Sequence, residues 1–192
     1  RNPGVKLAPA GVTAQELIDD YCGGMSEGHS FHAYLPGGAS GGILPANMGN
    51  LRLDFGQLEK YGCFVGSHAV VILSDKDSVK DAALNLLRFF EDESCGQCTP
   101  CREGTSWSLR MLERIRAGKG RLRDLDLLTE IGDTMGMMPG STICGLADGA
   151  AWPIKNSITK FRNEFEDYIK QTNPTGYMET DPVPALPIVT TH

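Results

Sequence analysis

Three cysteines fall within seven positions of this chain, at Cys95, Cys98 and Cys101 of the stretch ESCGQCTPCREG. The spacing C-x2-C-x2-C limits the fold more than any other feature, because thiols set so close together can curl around one metal centre. Gly96 permits a tight turn, and Pro100 is expected to hold off the next helix until after Cys101. A cubane 4Fe–4S cluster takes four cysteine ligands. Cys144, in the loop STICGLADGAAWP ahead of the last helix, is the natural fourth. Bringing it to the triple closes a loop over residues 102–143. The cost is only about a few kcal/mol, since closure entropy grows logarithmically with length. Zinc is the alternative, although structural zinc usually draws on two well-separated cysteine pairs. Cys22 and Cys63 read as small buried hydrophobes rather than ligands.

The flanking residues suit a cluster. A helix opening after Cys101 would turn free N–H groups and a positive dipole end toward the sulfurs. Arg102 adds positive charge beside a site that becomes more negative on reduction, unless it is an ordinary solvated surface charge.

Composition narrows the class of protein. An apolar share of 41% and a charged share of 22% are ordinary for a globular chain of 192 residues. A net charge of −6 argues against nucleic acid, which calls for clustered Lys and Arg. No apolar run nears the ~20 residues that span a bilayer. The opening RNPGVKLAPAG lacks the layout of a secretory signal, so a reducing, cytoplasmic setting without disulfides is expected. A first residue of Arg rather than Met leads us to expect a piece of a longer polypeptide.

Along the chain, the hydrophobic period changes from two to 3.6 near Ser78. Before it, residues 1–75 read as a small mixed α/β unit. Thr13 and Glu16 form a capping-box pattern for a short helix that Gly23 and Gly24 would stop. FHAYLP (31–36) and AVVILS (69–74) read as strands. After it, residues 76–170 read as a four-helix bundle. The first helix carries Val79, Ala82, Ala83, Leu86, Leu87 and Phe90 on one face. The second is expected to turn Trp107, Met111, Leu112 and Ile115 inward. The third begins near Asp124 as N-cap, with Leu125, Leu128, Ile131 and Met135 in line. The fourth has Pro153 in its first turn, then Ile154, Ile158, Phe161, Phe165 and Ile169. Residues 171–192, rich in Pro and Thr, read as an extended or disordered tail.

Other candidates carry less. PGGASGG (36–42) invites a phosphate-cradle reading, but no helix-opening sequence follows it, and a structural loop is the better account. The histidines at 29, 32, 68 and 192 show no ligand spacing, and Trp107 and Trp152 read as core.

FFEDESCGQCTPCREGTSW, with TICGLADGAAWPIKNSITKFRNEFEDYI further on, resembles the NADH-binding flavoprotein subunits of respiratory complex I and their relatives. Those relatives include flavoprotein subunits of NAD-reducing hydrogenases and the β subunits of NAD-dependent formate dehydrogenases; the motifs are most similar to the last. NPGVKLAPAGVTAQELIDDYCGG and YLPGGASGGILPANM look like the soluble-ligand-binding β-grasp module of the family, begun after its first strand. The resemblance implies an α+β chain: a partial β-grasp module, then a four-helix bundle whose Cys95, Cys98, Cys101 and Cys144 hold a 4Fe–4S cluster. It implies FMN and NAD in an N-terminal domain that this chain lacks, so no flavin or nucleotide residue is placed here. Its implied role is electron relay in an NAD-dependent oxidoreductase, with formate dehydrogenase as the main reading. The equivalent part of complex I or of a hydrogenase is the alternative, as is a structural metal-binding docking module. The implied partners are the flavin domain, a cluster-rich molybdenum- or tungsten-containing catalytic subunit and a small 2Fe–2S subunit.

Overall fold

The computed structural model describes residues 1–136 and 140–178. Thr13 caps a single α-helical turn, Ala14–Glu16 (α1), through the expected reciprocal box: its hydroxyl accepts from Glu16 N, and Glu16 accepts from Thr13 N. A wider turn over Leu17–Tyr21 continues it. Three strands follow, β1 (Phe31–Leu35), β2 (Leu44–Pro45) and β3 (Val71–Ser74), paired antiparallel in the order β2-β1-β3. Tyr34 faces Leu44 on one side and Ile72 on the other. Their inner face packs on Ala14, Leu53, Leu58, Cys63 and Val65. The pairing of β1 with β3 slips between Phe31 and Ala33, a bulge at His32.

Four longer helices follow among the described residues: α2 (Val79–Asp92), α3 (Thr99–Arg114), α4 (Leu122–Met135) and α5 (Leu146–Thr172). Ser78 caps α2 by accepting from Asp81 N, where the period changes. Leu84 and Leu87 of α2, Leu112 of α3, Leu125 and Leu128 of α4, and Ile154, Ile158, Phe165 and Ile169 of α5 share one apolar core. A smaller cluster of Ala33, Leu35, Ile43, Val79 and Phe161 joins the sheet to the helices.

Five expectations are corrected. Pro100 does not delay α3; it sits within the first turn, where its missing N–H needs no partner, and Cys98 becomes the N-cap. Trp107 is 54% exposed, because α3 turns Cys101, Thr105, Ser108 and Leu112 inward and position 107 lies off that line. Arg121, not Asp124, is the N-cap of α4; Asp124 stands in the first turn, fully buried, and accepts from Arg121 N at 2.8 Å and Arg114 at 2.5 Å. Pro153 lies inside α5, which begins seven residues earlier, because Ala147, Ala150 and Ala151 bury their small side chains beside Met135 and Phe90. Part of the expected tail is helical: α5 runs to Thr172 and Pro174–Met178 forms α6, held by Asn173 Nδ2 donating to Gly120 O. Residues 179–192 lie outside the described residues.

Candidate metal centre

The loop between α2 and α3 is short and held from several sides. Gly96 takes a left-handed backbone (φ +74°), which glycine adopts without strain. Its carbonyl accepts from Arg102 Nη1 at 2.7 Å, and its N–H donates to Ser94 Oγ at 3.3 Å. These bonds fold the loop back on the start of α3 and bring Cys95, Cys98 and Cys101 to one side. The loop ahead of α5 approaches from across the helices. There the Ile143 amide donates to Cys98 Sγ at 3.3 Å, and Thr142 Oγ1 donates to Cys144 O at 3.2 Å.

All four cysteines line one cavity of about 170 Å³, with Ser94, Thr142 and Leu146 among its walls. Cys101 is buried, Cys98 half-buried, and Cys95 and Cys144 exposed. Among the described residues, no three His, Cys, Asp or Glu side chains converge as a site for a lone metal ion. The four thiols line one space and form an all-sulfur donor set, which fits an iron–sulfur group.

Two helix N-termini open on this cavity. Cys98 is the N-cap of α3, and Cys144 immediately precedes Gly145, the N-cap of α5; neither helix has a side-chain cap among the described residues. Free N–H groups and positive dipole ends therefore sit beside sulfurs that carry negative charge when they bind metal. The contribution of α5 was hidden in the sequence by Pro153. Arg102 is engaged with the Gly96 carbonyl and with Glu103 at 3.0 Å, so it shapes the loop as well as adding charge near the sulfurs.

Cys63 stands apart. It is fully buried beside Asn156 and Lys160, and burial pushes its thiol pKa up, away from the thiolate that binds metal. Cys22 lines a different, broader groove along β3 and the N-terminal segment. The 36–42 loop is structural: a Cβ on Gly37 would meet the Val65 backbone at 2.3 Å, and a short 3-10 turn, Ala46–Met48, is the next helical element. His32 Nε2 lies 2.6 Å from Glu164 Oε1, and His29 Nδ1 lies 3.0 Å from Ser74 Oγ. His192 lies outside the described residues.

Comparison with known proteins places the chain among relatives of one kind. Residues 81–168 match the family model described as the NADH-ubiquinone oxidoreductase-F iron-sulfur binding region. The chain is 37% identical over 171 residues to an NADH-quinone oxidoreductase subunit of Rhizobium meliloti, covering 89% of this chain and 40% of that one. It is 38% identical over 171 residues to an NADH-quinone oxidoreductase subunit of Escherichia coli, covering 89% and 38%. Against the mitochondrial NADH dehydrogenase [ubiquinone] flavoprotein 1 of Dictyostelium discoideum it is 38% identical over 172 residues, covering 88% and 35%. The chain thus spans about two fifths or less of the curated relatives it matches. Among solved structures, an NAD+-reducing [NiFe]-hydrogenase in its H2-reduced state matches with a TM-score of 0.72 at 27% identity, over 88% of this chain and 28% of that one.

Proposed function

We propose, for a chain whose residues 81–168 match the NADH-ubiquinone oxidoreductase-F iron-sulfur binding region, that Cys95, Cys98, Cys101 and Cys144 hold a 4Fe–4S cluster and relay single electrons. The observation that carries this reading is the shared cavity, with four thiols around it and two helix N-termini beside it. A cluster there supplies one-electron transfer, while a flavin elsewhere in the protein converts single electrons to hydride chemistry with NAD. The chain's own residues supply shape, hydrogen bonds and charge; none is needed as acid, base or nucleophile. In this reading the sheet unit to about residue 75 is a partial β-grasp module, and α2 to α5 form a four-helix bundle closed at one end by the cluster. FMN and NAD sit in a flavin domain outside these residues, and the setting is cytoplasmic.

The motifs favour formate, with a molybdenum- or tungsten-containing subunit as the electron source. The relatives' names favour quinone-linked complex I and the hydrogen-linked enzyme instead, and we group the chain with those. A small 2Fe–2S subunit is a further proposed neighbour.

The test is the full-length subunit, purified without oxygen. We expect four irons per chain, broad visible absorption and an electron paramagnetic signal that NADH induces. A colourless zinc protein would support a structural docking module and sink the relay. Trials with formate, hydrogen and quinone as partner substrates would separate the three enzyme classes.

A further inference from the structure

We propose that Ser94 is a positioning residue for the cysteine cavity, its hydroxyl donating to the Cys101 sulfur and thereby setting how readily the centre is reduced. The proposal rests on the four-cysteine reading above. Ser94 Oγ lies 3.4 Å from Cys101 Sγ, and the Gly96 amide donates to the same oxygen at 3.3 Å. With a free thiol either atom can donate. A metal-bound cysteine is a thiolate and has no proton, so the hydroxyl is then the donor. Gly96 N–H occupies one lone pair of the oxygen and leaves the hydroxyl proton free to point at sulfur. One side chain thus receives from the first turn of the loop and gives to its last ligand.

Cys101 is the ligand for which such a donor matters most. It is 7% exposed, whereas Cys95 and Cys144 are open to water, which can replace a lost donor there. A hydrogen bond to sulfur strengthens as the sulfur gains negative charge, so it favours the reduced state and raises the reduction potential. Neither the spacing of the cysteines nor the Arg102 charge predicts this contact.

The experiment is a redox titration of the holoenzyme, followed by electron paramagnetic resonance, for the wild type and Ser94→Ala, Ser94→Val and Ser94→Thr. Iron content and signal amplitude report whether the cluster is present; the midpoint reports on Ser94. The Ala and Val variants should keep four irons per chain and shift the reduction equilibrium toward the oxidised form by roughly tenfold, about 59 mV lower for one electron. The Thr variant, with the hydroxyl restored, should titrate near the wild type. Iron-replete Ala and Val variants with the wild-type midpoint would overturn the proposal. So would an iron-replete Thr variant that shifts as far as Val, since the hydroxyl would then make no difference at the same volume. A wild type without a cluster signal would fail the four-cysteine reading instead.

Discussion

The Ile143 amide and the Cys98 sulfur are 45 residues apart in sequence and joined by a 3.3 Å hydrogen bond. This contact ties the loop that carries Cys144 to the loop and first turn of α3 that carry the other three cysteines. If the four cysteines hold the proposed cluster, metal binding and helix packing are coupled: a site assembled only on folding returns its binding energy as stability.

Cys144→Ala should consequently lose iron and lower the thermal midpoint together, while Cys63→Ala and Cys22→Ala should keep four irons per chain. Iron analysis beside calorimetry of the purified full-length subunit checks this. Four irons in the Cys144 variant, with loss from the Cys63 variant, would reverse the assignment.

Lys160 links α5 to the sheet unit. Its Nζ donates to Tyr61 O at 2.7 Å and Ile43 O at 3.3 Å, and lies 3.7 Å from Cys63 Sγ. Burial lowers its pKa, with Cys63 acting in the opposite direction. Lys160→Met should take the ammonium donor from both carbonyls, leaving Ile43 O only the weak Cys63 thiol donor at 3.8 Å, and cost about 1–3 kcal/mol. The readout is a lower denaturant midpoint at unchanged slope; an unchanged midpoint would show that water replaces the tether.

Gly37 is required by close approach of backbone, not by a left-handed φ. A Cβ there would lie 2.3 Å from Val65 C and O and 2.4 Å from Phe64 O. Gly37→Ala should destabilise by at least about 1–3 kcal/mol, since backbone must move to admit the methyl. A melting curve matching the wild type would refute the constraint.

Asp77 gives a pH dependence. Its carboxylate accepts from Ser74 N at 2.7 Å and Ser74 Oγ at 2.8 Å, and these bonds hold its pKa below the usual range, the backbone bond foremost. The folded value lies below the unfolded value of about 3.9. The stabilisation is therefore present above that unfolded value and is lost as pH falls through the folded one. The stability gap between wild type and Asp77→Asn should be widest near neutral pH and shrink below about pH 4. A constant gap in denaturation curves from about pH 2 to 7 would contradict it.

Local signals explain which parts of the fold were legible. Thr13 and Glu16 announce their cap, Ser78 marks the change of period, and the cysteine triple needs no tertiary information. Pro100 and Pro153 misled for one reason: proline punctuates helices statistically, but packing decides where a helix begins. Trp107 misled because size suggests burial, while the small inward side chains of α3 leave no place for it. The links from His32 to Glu164, from Asn156 Nδ2 to Gly62 O and from Lys160 to Ile43 O span 132, 94 and 117 residues. No periodicity encodes such pairs. The bulge at His32 likewise exists only once β1 meets β3.

The unequal shelter of the four cysteines has a chemical consequence. Cys101 sits at 7% exposure, while Cys95 and Cys144 face solvent. In the relay proposed above, an open edge would shorten the path for an arriving electron, and it would give oxygen and peroxide the same path. Oxidation to sulfenic and then sulfinic acid follows thiolate character and access, so corrosion is expected to begin at Cys95 and Cys144 and to reach Cys101 last. A neighbouring surface that covers this edge in an assembly would act as a conductor and as armour at once.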